Sequence, residues 1–433
     1  MQMTKSAIWH PFTQMLTAEP PLKVARGEGS YLILEDDKRL LDCISSWWVN
    51  IHGHAHPEIA EAIFEQAKRL EQVIFAGFTH QPAEDVAAAL LERLPKPLAH
   101  VFYSDNGSTS VEVALKMAYQ YWMNLGQEKH RFIAFDGGYH GDTIGAMSIG
   151  RGSPFWSKFD RLLFEIDIVP FPETFENDQQ VEAKEKASLS ALREIIEKNK
   201  NQHVAICIEP LIQGAAGMRM CRPEFLQALR QVATENQILL IFDEVMTGFG
   251  RTGDFFASKK SQATPDIICL SKGITGGFLP LSVTVCSSSI YETFLSESSD
   301  KTFFHGHSYT ANPLACAAAV CSWKLLNKNQ HLFQTMENTH RKLVQEELQG
   351  HPLIRNVRFC GTIFAAEINT KESDSYFNSL AVHLKKRFID RGFLIRPLGN
   401  TIYLMPPYCT TEDSLRSAYR AIRSELEDLA TLA

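Results

Sequence analysis

A set of short runs in the middle of the chain has no face suited to water. Arg131-Phe-Ile-Ala-Phe135, Val204-Ala-Ile-Cys-Ile208, Ile238-Leu-Leu-Ile-Phe242, Ile267-Ile-Cys-Leu270 and Ser282-Val-Thr-Val-Cys286 are largely apolar and rich in β-branched residues. A half-exposed strand alternates polar and apolar residues; one that does not has both faces covered, the condition of a mainly parallel sheet between helices. Helical stretches lie between the runs, at Ser188 to Lys198 and at Glu224 to Thr234. The second starts behind Pro223, where proline removes only a donor that has no helical partner anyway. Strand and helix in repeated alternation predict an α/β domain.

The flanks differ. From Asn312-Pro313 an Ala-rich helical pattern runs through Leu325 toward Gln349, followed by strand-like Phe393 to Arg396 and Thr401 to Met405 and a helix that Thr410-x-x-Asp413 could cap. The expected organisation is an N-terminal segment, 1–60, with strand-like Ser30 to Leu34, packing with a small α+β domain at 326–433, and a large domain at 61–325. With 433 residues, 45% of them hydrophobic, the chain has material for both. A net charge of −7 argues against a nucleic-acid partner. No run reaches the roughly 18 to 20 apolar residues of a membrane span, and Met-Gln-Met-Thr-Lys leads into no secretory core, so a cytoplasmic protein is expected. Nine scattered cysteines without Cys-x-x-Cys fit reduced thiols.

Ligands of open α/β sheets bind beyond the carboxyl ends of the strands, so the residues that follow the apolar runs carry the chemistry. Those runs end in Asp243-Glu244, Ser271-Lys272 and Glu209-Pro210. Carboxylate and lysine at neighbouring strand ends could form a plain ion pair. They also match the needs of pyridoxal phosphate, whose aldehyde requires a lysine and whose ring nitrogen requires a carboxylate to stay protonated. A third element adds weight to the second reading. Val101 to Ser104 reads as a strand and Asp105-Asn-Gly-Ser108 turns it into a helix with apolar Val111, Ala114, Leu115, Ala118 and Trp122. Gly107 and Ser108 therefore start a helix, where free amides attract phosphate.

The run Phe242-Asp-Glu-Val-Met-Thr-Gly-Phe-Gly-Arg-Thr-Gly253, then Pro265-Asp266 and Leu270-Ser-Lys-Gly-Ile-Thr-Gly-Gly277, resembles the signature of class III, fold-type-I, pyridoxal-phosphate-dependent aminotransferases. Within the class, His10-Pro-Phe-Thr13, Ser45-Ser-Trp-Trp48, Ile51-His-Gly53, Tyr139-His-Gly-Asp-Thr143, Gln213-Gly214 with Gly217-Met218, His305-Gly306, Asn312 to Cys316, Arg396-Pro-Leu-Gly399 and Tyr403 to Pro407 resemble the branch that aminates 8-amino-7-oxononanoate in biotin synthesis. The resemblance implies a homodimer with shared active sites, working by a ping-pong mechanism.

Residue by residue, it implies that Lys272 binds the cofactor aldehyde and later shuttles a proton, that Asp243 pairs with the ring nitrogen, and that Tyr139 stacks on the ring. Gly107 and Ser108 would hold the phosphate together with His307 and Ser308 of a neighbouring subunit, where this chain departs from a Pro-Thr common in the family. Arg396 would bind the far carboxylate of the acceptor through its planar fork. Trp47, Trp48 and Tyr139 would wall a channel for the methylene chain, with Gly306 beside the substrate; one tryptophan of the pair is expected to be core instead. Glu209 and Arg251 would support the polar network or form an ordinary ion pair.

For the amino donor, Trp48 and Tyr403 point to S-adenosylmethionine, while Phe12, where users of that donor often carry tyrosine, and His305 to Thr310, which resembles the lysine users, point to lysine; S-adenosylmethionine is the expectation. The alternatives are another class III aminotransferase for ω-amino acids or diamines, and a non-catalytic cofactor-binding protein. His52-Gly-His54-Ala-His56 suggests a metal only weakly, for no carboxylate or cysteine accompanies it. The Glu182 to Lys186 stretch is expected on the solvated surface.

Overall fold

Every one of the apolar runs becomes a strand of a single sheet in the computed structural model, which describes residues 7–151, 153, 155–369 and 379–432. The opening Met1 to Lys5, from which the absence of a secretory core was read, lies outside them. Sheet order is Leu98–Ser104, Ser282–Ser287, Ile267–Leu270, Leu239–Asp243, His203–Ile208, Arg131–Phe135, Asp167–Val169. Neighbours are parallel except at Ser282–Ser287, which runs antiparallel to both strands beside it.

Both faces are covered, as the unbroken apolar runs require. Ile206, Ile208, Leu240, Phe242, Ile268 and Leu270 point into one core, shared with Leu192 and Ile196 of the Val181–Lys198 helix and Phe225 and Leu229 of Pro223–Glu235. Ala205, Cys207, Leu239, Ile241, Ile267 and Cys269 point into a second core under the Gly107–Asn124 helix. Cys207 and Cys269 are thus buried small hydrophobes, and burial pushes both thiols up. Among the described residues, no helix is long and apolar enough to cross a membrane.

Both chain ends meet in a second layer. Val24–Glu28, Tyr31–Leu34 and Arg39–Asp42 form an antiparallel meander, and Phe393–Leu394 joins its last strand in parallel, Phe393 opposite Leu41. Leu41 and Cys43 share a core with Phe364, Phe388, Ile402, Leu404 and Tyr419 from the C-terminal part of the chain.

Three local expectations change. The Ala-rich pattern is two helices, Pro313–Lys328 and Gln330–Glu347, separated at Asn329, whose φ −112° and ψ 23° end the first and redirect the chain. The last helix, Glu412–Leu432, is capped by Thr411, whose Oγ1 accepts from the Ser414 amide at 3.3 Å; Thr410 bonds Ser30 instead. Within Glu182 to Lys186, Glu185 is buried because Arg222 of the next helix start meets it bidentately, at 2.9 and 2.7 Å.

His340 sits wholly inside the C-terminal core, its ring nitrogens meeting Tyr419 Oη at 2.8 Å and the Thr362 carbonyl at 3.3 Å. Burial, only partly opposed by that carbonyl, pulls its pKa from 6.5 to about 4. Below pH 6.5 the unfolded chain therefore takes up a proton that the folded one refuses, so stability is full above that value and falls toward pH 4, by about 3 kcal/mol from this group. His340→Gln should lower the melting temperature at pH 7 but flatten its decline between pH 6.5 and 4.5; an unchanged slope in thermal melts would remove His340 as the cause.

Candidate active site

Side chains alternate along a strand, and this separates Asp243 from Glu244. Glu244 turns into the fold, where its carboxylate accepts from the Ala257 and Ser258 amides at 2.6 and 2.7 Å and closes the first turn of Ala257–Ser261. Burial raises its carboxyl to about 7. Asp243 faces the other way, into a cavity of about 470 Å³ at the carboxyl ends of the strands. Although only 3% exposed, it is compensated: Oδ1 accepts from the Val245 amide at 3.0 Å and Oδ2 meets Nδ1 of His140 at 2.7 Å.

Lys272 enters the same cavity just past Ile267–Leu270, with φ 46° and its ammonium 4.7 Å from the centre of the Trp48 ring. Removal from water lowers its pKa to about 8, against the pull of Asp243 and Glu209. Glu209 ends its own strand inside the cavity and accepts from the amides of Tyr139 and Gly214, each at 3.1 Å; burial raises its carboxyl to about 7.

At the same cavity, Asn106 caps the Gly107–Asn124 helix, accepting from the Thr109 amide at 3.0 Å while Thr109 Oγ1 accepts in return from the Asn106 amide at 3.2 Å. Gly107 and Ser108, the first turn, line the cavity, where helix dipole and amides favour an anion. A Cβ at Gly107 would come within 2.6 Å of Val245, so only glycine lets the helix start this close to the strand end. Tyr139 lines the cavity too, its hydroxyl donating to Asp142 at 3.1 Å, and burial followed by that carboxylate pushes the phenol upward.

The structure thus gathers Trp48, Gly107, Ser108, Tyr139, Glu209, Asp243 and Lys272 around one space. A chain of edge-on rings leads outward from Tyr139 to Phe155 at 5.9 Å, to Phe12 at 5.6 Å and to Trp47 at 5.6 Å, where Arg396 stands over the Trp47 ring at 5.1 Å. The tryptophan pair divides: Trp47 is 44% exposed on this outer wall, while Trp48 is buried, donates from Nε1 to Tyr403 Oη at 3.0 Å and still lines the cavity.

Other expected residues fall elsewhere. Arg251 forms no ion pair with Glu209; fully buried, it donates to the carbonyls of Pro406, Trp48 and Asn50 at 3.0, 3.3 and 3.4 Å, because irregular loops leave carbonyls that need donors. Gly306, His307 and Ser308 lie outside this chain's own cavity; Gly306 and Ser308 are exposed, and the Ser308 carbonyl accepts from Gln72. Two residues at the site were not foreseen, His140 and Phe155. His140 stood inside the quoted Tyr139 to Thr143 segment, but nothing local marks it as the partner of a carboxylate 103 positions on.

Lysine, fixed carboxylate, flanking aromatic ring and a helix start that only glycine lets approach the strand end make this a site fitted to pyridoxal phosphate on an α/β aminotransferase fold. The chain belongs to the class-III aminotransferase family, whose match spans residues 14–426, and the enzymes of this class depend on pyridoxal phosphate. It is 51% identical to the adenosylmethionine-8-amino-7-oxononanoate aminotransferase of Synechococcus elongatus, covering 98% of this chain and 99% of that one. The Geobacter sulfurreducens protein of the same name is 41% identical, covering 94% and 93%. Among solved structures, the adenosylmethionine-8-amino-7-oxononanoate aminotransferase of Methanocaldococcus jannaschii superposes with TM-score 0.89 at 34% identity, covering 98% and 97%. A PLP-bound amine transaminase from an uncultivated Pseudomonas species gives 0.89 at 29% identity, covering 98% and 99%.

Burial by itself disfavours a charged His140, but the hydrogen bond and charge of Asp243, with Glu209, outweigh it and raise its pKa. A hydrogen bond to a buried carboxylate is charge-assisted and contributes about 1.5–3 kcal/mol. His140→Phe should weaken pyridoxal phosphate binding about ten- to hundredfold while leaving the visible band of Lys272-bound cofactor attainable at saturation. Unchanged affinity in equilibrium dialysis would mean that Asp243 is held without it.

Proposed function

We infer that this chain transfers an amino group from S-adenosylmethionine to 8-amino-7-oxononanoate, giving the 7,8-diaminononanoate of biotin synthesis, in two half-reactions at one site. The observation that carries the reading is the aromatic wall that runs from the Lys272 and Asp243 cavity to a single arginine, Arg396. An apolar chain with a terminal carboxylate fits such a wall: rings flank the methylenes and the guanidinium meets the acid in a planar fork. The name shared by the relatives supports the choice of substrates.

Pyridoxal phosphate, when bound, supplies an aldehyde for the amino group and a ring that withdraws electrons from the carbon losing its proton. Gly107 and Ser108 would hold its phosphate. Asp243, fixed by His140 and the Val245 amide, would keep the ring nitrogen protonated. Lys272, with a pKa near 8, is partly neutral at cellular pH; its amine takes the proton from the donor carbon and returns one on the acceptor side. Tyr139 would cover the ring face, and Trp48 lines the same cavity. Arg251 and Tyr403 act behind these groups, on the backbone and indole of Trp48.

A homodimer with shared sites, working in the cytoplasm, belongs to the same reading. His307 and Ser308 would complete the phosphate seat of a second copy, with Gly306 beside its substrate. Support comes from the single chain, in which His307 Nε2 is buried without a partner and Phe304 and Tyr309 beside it are 75% and 64% exposed. Phe12 favours a second reading, lysine as donor, because its ring stands where a phenol could have offered a hydroxyl. One lost hydrogen bond, about 0.5–1.5 kcal/mol, is too little to exclude S-adenosylmethionine.

The deciding experiment supplies each donor alone to the loaded enzyme, follows the visible spectrum, and then adds 8-amino-7-oxononanoate and detects the diamine by mass. Conversion by S-adenosylmethionine with diamine formed is expected. Conversion by lysine alone reassigns the donor, and no diamine with either sinks the function. The Lys272→Ala variant should lose both the visible band and turnover.

Arg396→Ala should reduce kcat/KM for the keto acid about ten- to hundredfold, the value of a charge-assisted contact, while the visible spectrum stays intact. Equal kinetics in variant and parent would place the carboxylate elsewhere.

A further inference from the structure

The motif His52-Gly-His54-Ala-His56 has no place in the cavity, yet its middle imidazole is tied into a buried chain that ends at the tryptophan pair. His52 bonds Ser322 Oγ at 3.0 Å. His54 bridges instead: Nε2 meets Asp42 Oδ2 at 2.9 Å and Nδ1 meets the Asn50 side-chain amide at 2.9 Å. Asp42 is completely buried and accepts from the Ile44 amide at 3.2 Å, the Ser46 amide at 2.6 Å and Ser46 Oγ at 3.3 Å. The N-terminal meander fixes the imidazole from outside, for the Gly29 carbonyl accepts from the His54 amide at 2.7 Å and Gly27 packs directly on its Cβ.

What this carboxylate grips is strained. Ser45 has φ 52°, Ser46 φ 60° with ψ −90°, and Trp48 φ 68°. L-residues avoid these conformations unless surrounding contacts impose them. In a regular helix or strand, consecutive side chains diverge to different faces. This turn instead aims Trp48 at Lys272 and Tyr403 while Trp47 stands against Phe12 and Arg396. Arg251 holds the far side of the turn through the Trp48 and Asn50 carbonyls.

We propose that Asp42, backed by His54 and Asn50, is a positioning residue for the keto-acid acceptor, holding the strained Ser45–Trp48 turn so that both tryptophans serve one channel. The proposal rests on the reading that this channel takes 8-amino-7-oxononanoate. Asp42 touches neither cofactor nor substrate in this role. Its loss should therefore change acceptor binding and leave cofactor loading alone.

The test compares Asp42→Asn, His54→Ala, His54→Gln and Trp47→Ala as full-length, cofactor-loaded enzymes, with rates counted per site showing the visible band. Asp42→Asn and His54→Ala should raise KM for 8-amino-7-oxononanoate about ten- to hundredfold, as small misplacements of a binding wall do, with kcat changed less than about threefold. His54→Gln, which restores a donor toward Asp42, should recover most of that loss. A purely structural role lowers the melting temperature and the loaded fraction but leaves KM per loaded site alone, and that pattern would overturn the proposal. Should Asp42→Asn fail to fold, the difference in KM between His54→Ala and His54→Gln decides, and its absence is equally adverse. Trp47→Ala separates the two readings. If it raises KM while the Asp42 and His54 variants do not, the positioning role is wrong; if it too leaves KM unchanged, the channel reading fails and takes this proposal with it.

Discussion

A carboxylate at the end of a buried strand has to be compensated or neutralised, and the arrangement around Asp243 follows from that requirement. Taken from water alone, the charge would cost several kcal/mol. The Val245 amide and the His140 imidazole meet its two oxygens, and the Lys272 ammonium shares its cavity. Fixing these partners fixes the loops that carry them: the turn after Leu239–Asp243, the Tyr139 to Thr143 segment, and the residues beyond Ile267–Leu270. Glu209 then adds a second buried acid to the same field, and the two backbone amides it accepts from tie its strand end to Tyr139 and Gly214.

Much of this was legible because buried parallel strands write their environment into the sequence. Runs without alternation required two covered faces, and the polar residue following each run had to lie at the ligand-binding edge; Asp243, Lys272 and Glu209 were found this way. Gly107 was readable from strand, turn and helix in succession. The features that escaped depend on long-range partners. His140 looks like any histidine until the chain brings Asp243 to it. Arg251 is expected in the polar network of the site or in an ordinary ion pair, because sequence shows charges, whereas the carbonyls it holds at Trp48, Asn50 and Pro406 belong to irregular backbone and carry no signature. The break at Asn329 has neither glycine nor proline to mark it.

The tryptophan pair falls between these cases. Adjacent aromatic residues ordinarily serve different faces, so a core role for one of them was the natural expectation. Trp48 is buried as expected for a core residue and still borders the cavity, while Trp47 stays half in solvent. Only a backbone held at positive φ makes this possible, and such a conformation is invisible in a Ser-Ser-Trp-Trp string.

The pairing of Phe393 with Leu41 also sets a clock for synthesis. Its two strands are separated by about 350 residues, so at ribosomal rates of roughly 5–20 residues per second the first waits some 20 to 70 seconds for its neighbour. The central sheet draws its strands from residues 98 to 287 and needs nothing from the last third of the chain. During that interval the cofactor cradle can assemble while the leading meander, which carries the two tryptophans behind it, lacks the last strand of its sheet. A nascent chain therefore gains its anion seat before it gains a wall for its substrate, and a chain truncated ahead of Phe393 would lack the strand that anchors that wall.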